Sequence, residues 1–204
     1  MLLPCHLPDR HEAGCDEAGR GCLAGPVFAA AVILPPGYSN PELNDSKQLG
    51  TRDRARLREQ IEQDALAWAV ASYSVDEIDR HNIFQSSYRA MHRALDRLAT
   101  RPDFLLIDGK YFIDYPGVEH LCVIKGDGKY QSIAAAGILA KTHRDAHMLG
   151  LHATYPQYAW HTNQGYPTRA HRQAIEAYGA TRHHRKSFTL LAGGKPYTLF
   201  DDEK

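Results

Sequence analysis

The sequence predicts an α/β fold, a central mixed β-sheet flanked by helices with a helical segment toward the C-terminal end. Three observations carry this expectation. Short apolar runs early in the chain read as strands. Further along, strands alternate with stretches of helical periodicity, the order expected of a sheet covered by helices. Two of the later strands run into acids, Asp108 and Asp127, and groups just beyond strand ends gather at one edge of such a sheet, where ligands bind.

The elements follow in chain order. Residues 13–17 form a short segment that ends in two acids, Asp16 and Glu17. Residues 23–34 (LAGPVFAAAVIL) read as a buried strand with a bend at Gly25-Pro26, stopped by Pro35-Pro36-Gly37. A loop through Asn44-Asp45-Ser46-Lys47 leads to an amphipathic helix over 51–64, with Thr51 as its N-cap. Residues 66–74 (LAWAVASYS) alternate imperfectly, as a strand. Ile78, Ile83, Tyr88, Met91, Leu95 and Leu98 give 75–98 a helical period. Residues 104–107 and 118–124 are short apolar strands, the second ending at Lys125-Gly126-Asp127. Residues 132–151 form a long helix, with Ser132 as N-cap and small residues suited to close packing. A last helix covers 167–178, with Pro167 near its first turn and Gly179 as C-cap.

A chain of 204 residues suffices for one domain with a sizeable core and hardly for two. We therefore expect a single domain over residues 1–190, its C-terminal helical part included, and a tail over 191–204 to which no order is assigned. Hydrophobic residues at 43% and charged residues at 24% exclude disorder along the whole chain. No apolar run approaches the ~20 residues that span a bilayer. The opening MLLPCHLPDRHEAG lacks the basic stretch and long apolar run of a secretory leader, so a cytoplasmic location is expected. Cys5, Cys15, Cys22 and Cys122 form no C-x-x-C pair and are read as reduced thiols.

Net charge is zero, with 24 basic and 24 acidic residues, which taken alone argues against nucleic-acid binding. The distribution differs. Arg169, His171, Arg172, Arg182, His183, His184, Arg185 and Lys186 crowd into one stretch with Glu176 as the only acid. Such a cluster suits phosphate neutralisation, and a solvated basic face without a partner accounts for it equally well. His183 and His184 are read as a solvated or phosphate-facing pair rather than a metal site, since no carboxylate neighbours them.

Four acidic positions stand out: Asp16, Glu17, Asp108 and Asp127. A single Asp at a strand end is better read as a turn residue, but several converging carboxylates repel one another, and a divalent cation neutralises them. Oxygen ligands without Cys or His favour Mg²⁺ or Mn²⁺ over zinc. Two such ions roughly 3.5–4 Å apart can activate water and stabilise a leaving oxygen at phosphorus. Directly after the first two acids, Gly19-Arg20-Gly21 forms a loop whose backbone can approach a ligand closely.

The string GCDEAGRGCLAGPV at 14–27 resembles the N-terminal signature of ribonuclease HII. LNDSKQL at 43–49, LLIDGK at 105–110, IKGD at 124–127, ILAKTHRD at 138–145, YPQY at 155–158, QGYPT at 164–168 and HHRKSF at 183–188 continue the likeness in order. The resemblance implies a ribonuclease H-like fold, with Asp16, Glu17, Asp108 and Asp127 as the metal-binding catalytic acids. Asp145 competes for the fourth place, and Asp127 is preferred because it follows a strand. It implies contact of Gly19, Arg20 and Gly21 with a ribose 2′-hydroxyl, the group that separates RNA from DNA, and stacking of Tyr166 on the following deoxyribose. Lys47, Arg185 and Lys186 are expected at the phosphate backbone, positioning the substrate without reading sequence. Ala134 and Gly137 stand where relatives often have serines, a departure that leaves the acids untouched.

The expected activity is endonucleolytic hydrolysis of RNA in RNA/DNA hybrids, and of the bond 5′ to a ribonucleotide embedded in duplex DNA, by a monomer that engages no membrane. A junction resolvase or exonuclease of the same fold, and a silent hybrid-binding module, are the alternatives. The first would cut all-DNA substrates, and the second would bind without cutting.

Overall fold

The computed structural model describes residues 2–191, 193 and 194. Its elements are β1 (Glu12–Ala18), β2 (Val27–Ile33), α1 (Thr51–Asp64), β3 (Ala67–Tyr73), α2 (Val75–His81), α3 (Ile83–Leu95), β4 (Phe104–Asp108), β5 (Glu119–Val123), α4 (Gln131–Thr154), α5 (Trp160–Asn163) and α6 (Arg169–Tyr178). Short 3₁₀ turns lie at Gly126–Gly128 and Pro156–Tyr158. The five-stranded sheet has the order β3-β2-β1-β4-β5. β2 is antiparallel to β1 and β3, whereas β1, β4 and β5 run parallel. The carboxyl ends of those three strands therefore share one edge.

Alternation along β1 sorts its side chains between two layers. Ala13 and Cys15 pack with Ile78, Ala90, Met91 and Leu95 of α2 and α3. Ala18 joins Leu57, Ile61 and the Ala134–Leu139 face of α1 and α4 on the other side. A further cluster, with Leu23, Met148, Tyr158, Trp160 and Ile175, seats the C-terminal helices. The tail assigned to 191–204 lies mostly outside the described residues.

Several sequence expectations shift. Residues 23–26 leave the strand because their backbone bonds elsewhere. The Leu23 amide donates to the Gly165 carbonyl and the Gly25 amide to that of His183, each at 2.8 Å. The helical stretch 75–98 is two helices broken at Asn82, whose φ of 64° ends one while its side chain accepts from the Phe84 and Gln85 amides to start the next. Gly50, not Thr51, is the N-cap of α1. Tyr130, not Ser132, precedes α4, and the Ser132 hydroxyl is buried without a partner. Thr168 caps α6, with Pro167 just outside it. Gly179 does end α6, at φ 76°.

α4 lies close over β1 because small residues face it. A methyl group added at Gly14 would sit 2.2 Å from the Ser132 carbonyl carbon and 2.4 Å from the Ile133 nitrogen. Backbone cannot move aside as a side-chain tip can. Gly14→Ala is expected to cost about 1–3 kcal/mol or more by overpacking, measured by urea unfolding. An unchanged midpoint would show that the two elements are not locked together.

Candidate active site

Parallel register brings three acids together. Cys15 pairs with Ile107, so Asp16 and Asp108 are the next residues on neighbouring strands. Val123 pairs with Asp108, and the 3₁₀ turn just beyond β5 carries Asp127. Lys125 opens that turn with φ 55°, and Asp108 Oδ1 accepts from the Gly126 amide at 2.7 Å, tying the turn to β4. Oxygens of Asp16, Asp108 and Asp127 lie within 4.8 Å of one another.

The electrostatics match that crowding. Burial, with Glu17 and Asp108 beside it, pushes the Asp16 carboxyl well above its ordinary range. Burial and the Asp108 and Asp45 charges raise Asp127. Partial burial works against the Lys47 charge, but Asp45, Asp16, Asp127 and Asp108 together hold its ammonium above the usual value. Lys47 Nζ is 3.7 Å from Asp127 and 3.6 Å from Asp45 on a side chain 76% exposed, which leaves most of the carboxylate charge uncompensated. Hard, buried oxygens under mutual repulsion fit a divalent cation.

Glu17 points differently. The pleat sends it to the opposite face from Asp16, and its Oε1 accepts from Arg20 at 3.1 Å. Burial raises its carboxyl, Arg20 opposes that rise, and Asp108 adds to it. Asp145, the competing fourth acid, is held by Lys141 at 2.5 and 2.6 Å within α4 and is not among the three clustered aspartates. Gly137 explains its own departure from serine here. A methyl group at that position would meet Asp16 Oδ2 at 2.4 Å, so the carboxylate occupies the space a side chain would take.

A cleft of ≈ 210 Å³ beside the acids is lined by Asp16, Glu17, residues 18–21, Ser46, Lys47, Asp108, Lys141 and Tyr166. Two buried guanidiniums build its glycine-lined wall. Arg144 donates to the carbonyls of Pro26, Gln164 and Ala24 at 2.9–3.1 Å. A methyl at Gly19, where φ is 96°, would strike its Nε at 2.0 Å. Arg185 donates to the carbonyls of Gly25, Arg20 and Gly19 at 2.7–3.0 Å. In trans peptides, with the Gly19 and Arg20 carbonyls turned toward Arg185, the Arg20 and Gly21 amides face away from it.

The expectation that Arg185 grips a duplex is therefore corrected. It is 0% exposed, and burial brings its guanidinium down to about 10. Every basic residue in the 182–186 run looks alike in sequence, and only packing decides which of them enter the interior. His184 is likewise not solvated but 1% exposed among aromatic rings, and His183 is half-buried edge-on to Tyr155. Lys186 stays exposed, its amide donating to Asp79. The Arg20 guanidinium lies over the Phe84 ring at 4.9 Å. Tyr166 is 38% exposed, with the Arg144 guanidinium 5.9 Å from its ring centre. Sequence reasoning did not place Arg144 or Lys141 at the site. Ala136, Ala140, Arg144 and Met148 form one buried stripe at four-residue spacing, and a cation on such a stripe was the signal for the first.

Acids gathered at the carboxyl ends of parallel strands, in a sheet of this order, fit a nuclease of the ribonuclease H-like class. Comparison with known proteins narrows the class. A profile of Ribonuclease HII matches residues 13–191. A Bacteroides fragilis ribonuclease HII is 60% identical over 195 residues, covering 96% of this chain and 97% of the relative. The chain belongs to the ribonuclease HII family. In fold it is similar to the ribonuclease H2 of Pyrococcus horikoshii (TM-score 0.73, 23% identity, 88% of this chain and 94% of that one). It is also similar to Bst-RNase HIII in complex with Mn²⁺ (TM-score 0.63, 19% identity, 88% and 67%). Among the described residues, no helix is long and apolar enough to cross a membrane.

Two outcomes follow from the charges. A carboxyl raised on folding makes the native state bind more protons than the unfolded one, so its contribution to stability falls as pH rises through the raised value. Asp127→Asn should thus raise the metal-free Tm by about 2–4 °C near pH 8 and by less near pH 5. Equal gains at both pH values would show that repulsion is not the cause. Arg185→Lys leaves carbonyls short of donors and should cost about 1–3 kcal/mol, measured by urea unfolding. The slope of nucleic-acid affinity against salt should stay unchanged, and a shallower slope would restore Arg185 to the phosphate backbone.

Proposed function

We propose that this chain hydrolyses the phosphodiester on the 5′ side of a ribonucleotide, in RNA/DNA hybrids and at single ribonucleotides embedded in duplex DNA. The products are 3′-hydroxyl and 5′-phosphate ends, and the biological consequence is removal of misincorporated ribonucleotides. One observation carries the reading: three aspartate oxygens lie within 4.8 Å of one another, and two of those residues, Asp16 and Asp108, line a cleft walled by residues 19–21 and Tyr166.

Asp16, Asp108 and Asp127 are the residues that would hold divalent cations, with Glu17 at the margin of the set. Mg²⁺ or Mn²⁺ bound there, two during turnover, would supply an activated water and charge stabilisation at the leaving 3′-oxygen. The Mn²⁺ complex of the similar Bst-RNase HIII supports a divalent ion and does not choose between the two metals.

The chain's own groups select and orient. The Arg20 and Gly21 amides, turned away from Arg185, are donors suited to a ribose 2′-oxygen. The half-exposed Tyr166 ring offers an apolar face to the next sugar. Lys47 and Lys186 contribute charge for flanking phosphates, sequence-independent contacts that position the duplex. A monomer suffices, since every named group comes from one chain.

The test is a duplex carrying one ribonucleotide, incubated with Mg²⁺ or Mn²⁺ beside a long hybrid and an all-DNA control. A cut 5′ to the ribonucleotide is expected, with the all-DNA duplex intact. Asp108→Asn is expected to lower kcat by about 10³-fold or more, the scale of losing a group that stabilises transition-state charge. Cleavage of the all-DNA duplex, or full activity of the variant, would overturn the assignment.

A further inference from the structure

A buried chain of rings stands behind Tyr166. His171 and His184 are 0% and 1% exposed, packed with Trp160 and Tyr158. The hydrogen bonds fix the protons on both rings. The Thr181 amide donates to His184 Nδ1 at 2.9 Å, so that nitrogen is an acceptor and the neutral ring carries its proton on Nε2. His184 Nε2 lies 3.2 Å from His171 Nε2. The Trp160 indole N–H, which can only donate, meets the same His171 Nε2 at 3.0 Å. His171 Nε2 is therefore an acceptor, and its proton sits on Nδ1, 2.9 Å from the Tyr166 carbonyl oxygen. Burial holds both rings toward the neutral form, His184 down to about 4.

The chain is directional, running from the Thr181 amide through His184 and His171 to the Tyr166 carbonyl. One tautomer of each ring is compatible with these contacts, with Trp160 and His184 sharing the single lone pair of His171 Nε2. Two buried imidazoles stabilise a fold only when fully partnered, and apolar residues would fill the same space without that demand. The peptide they reach is the one that bears the cleft-facing ring. The Tyr166 carbonyl also accepts from the Thr168 amide at 2.8 Å, and the Tyr166 amide donates to Asn163 at 2.8 Å.

We propose that His171, oriented by His184 and Trp160, is a positioning residue that fixes the Tyr166 peptide and thereby sets the preference for a single embedded ribonucleotide over a continuous hybrid. This rests on the reading of Tyr166 given under Proposed function. A ring held at its backbone by a bond from the interior presents one face reproducibly, and a sugar stacked on it keeps its register with the acids.

Two measurements on the full chain test it. Nitrogen-15 imidazole spectra of the wild type should show His171 protonated at Nδ1 and His184 at Nε2, and the reverse assignment for His171 overturns the relay. In kinetics, His171→Phe should lower the kcat/KM ratio of single-ribonucleotide to long-hybrid substrate by about tenfold, a modest misplacement on the scale of positioning effects. His171→Asn, which keeps a donor near the Nδ1 position, should retain the ratio within about threefold, and His171→Gln, whose amide reaches toward the Nε2 position, should not. This pair decides the matter should the Phe variant fail to fold. In a Tyr166→Ala background none of the three should change the ratio further. Equal losses on both substrates, or a full additional loss in that background, would reduce His171 to a packing residue. A wild type that cuts neither substrate overturns the reading of the site and with it the role given to His171, while the tautomer spectra report separately on the relay.

Discussion

Three carboxylates held within 4.8 Å of one another are a local arrangement that the folded chain alone does not favour. Among the described residues, the cation that pairs with them is Lys47, largely in solvent, and burial raises two of the three. The sheet enforces the geometry regardless. β1 and β4 deliver Asp16 and Asp108 side by side through register, and Asp108 in turn binds the amide of the turn that carries Asp127. The acids are placed by backbone pairing, and backbone pairing does not relax when the charges repel. Such an arrangement fits a divalent cation.

The wall beside it obeys the opposite charge logic. Arg144 and Arg185 are buried, and the hydrogen bonds they donate go to backbone carbonyls. A buried charge is tolerable when its donors are satisfied. Here the acceptors belong to residues 19–26 and Gln164, so the guanidiniums fix the shape of a loop that has little side chain of its own. Gly19 is required because Arg144 fills the place of a Cβ. The Leu23 amide, bonded to the Gly165 carbonyl, couples this loop to the segment that bears Tyr166. Both walls of the cleft are thus parts of one hydrogen-bonded unit spanning the first and last thirds of the chain.

Periodicity and punctuation made most of the architecture legible. The alternation of short apolar runs with helical stretches, the acids closing residues 104–107 and 118–124, and Gly179 as a helix stop all have local physical causes, so the sequence carries them. The break at Asn82 was hidden because apolar spacing continues across it, while the reversal depends on one residue's backbone angle. Thr51 and Ser132 looked like caps because their chemistry suits the role, yet the helices are entered earlier, through Gly50 and Tyr130, with no side-chain capping bond at either.

By itself the sequence determined which chemistry is available: acids at strand ends, a glycine-flanked arginine, and an ordered series of motifs resembling one nuclease family. The tertiary structure alone decided how those groups are used. It gathered Asp16, Asp108 and Asp127 while turning Glu17 toward Arg20, it tied Asp145 to Lys141, and it drew Arg185 and His184 out of a basic run into the interior. The reason is that residue type fixes what a side chain can bond, whereas burial and partners depend on which distant segments pack against it.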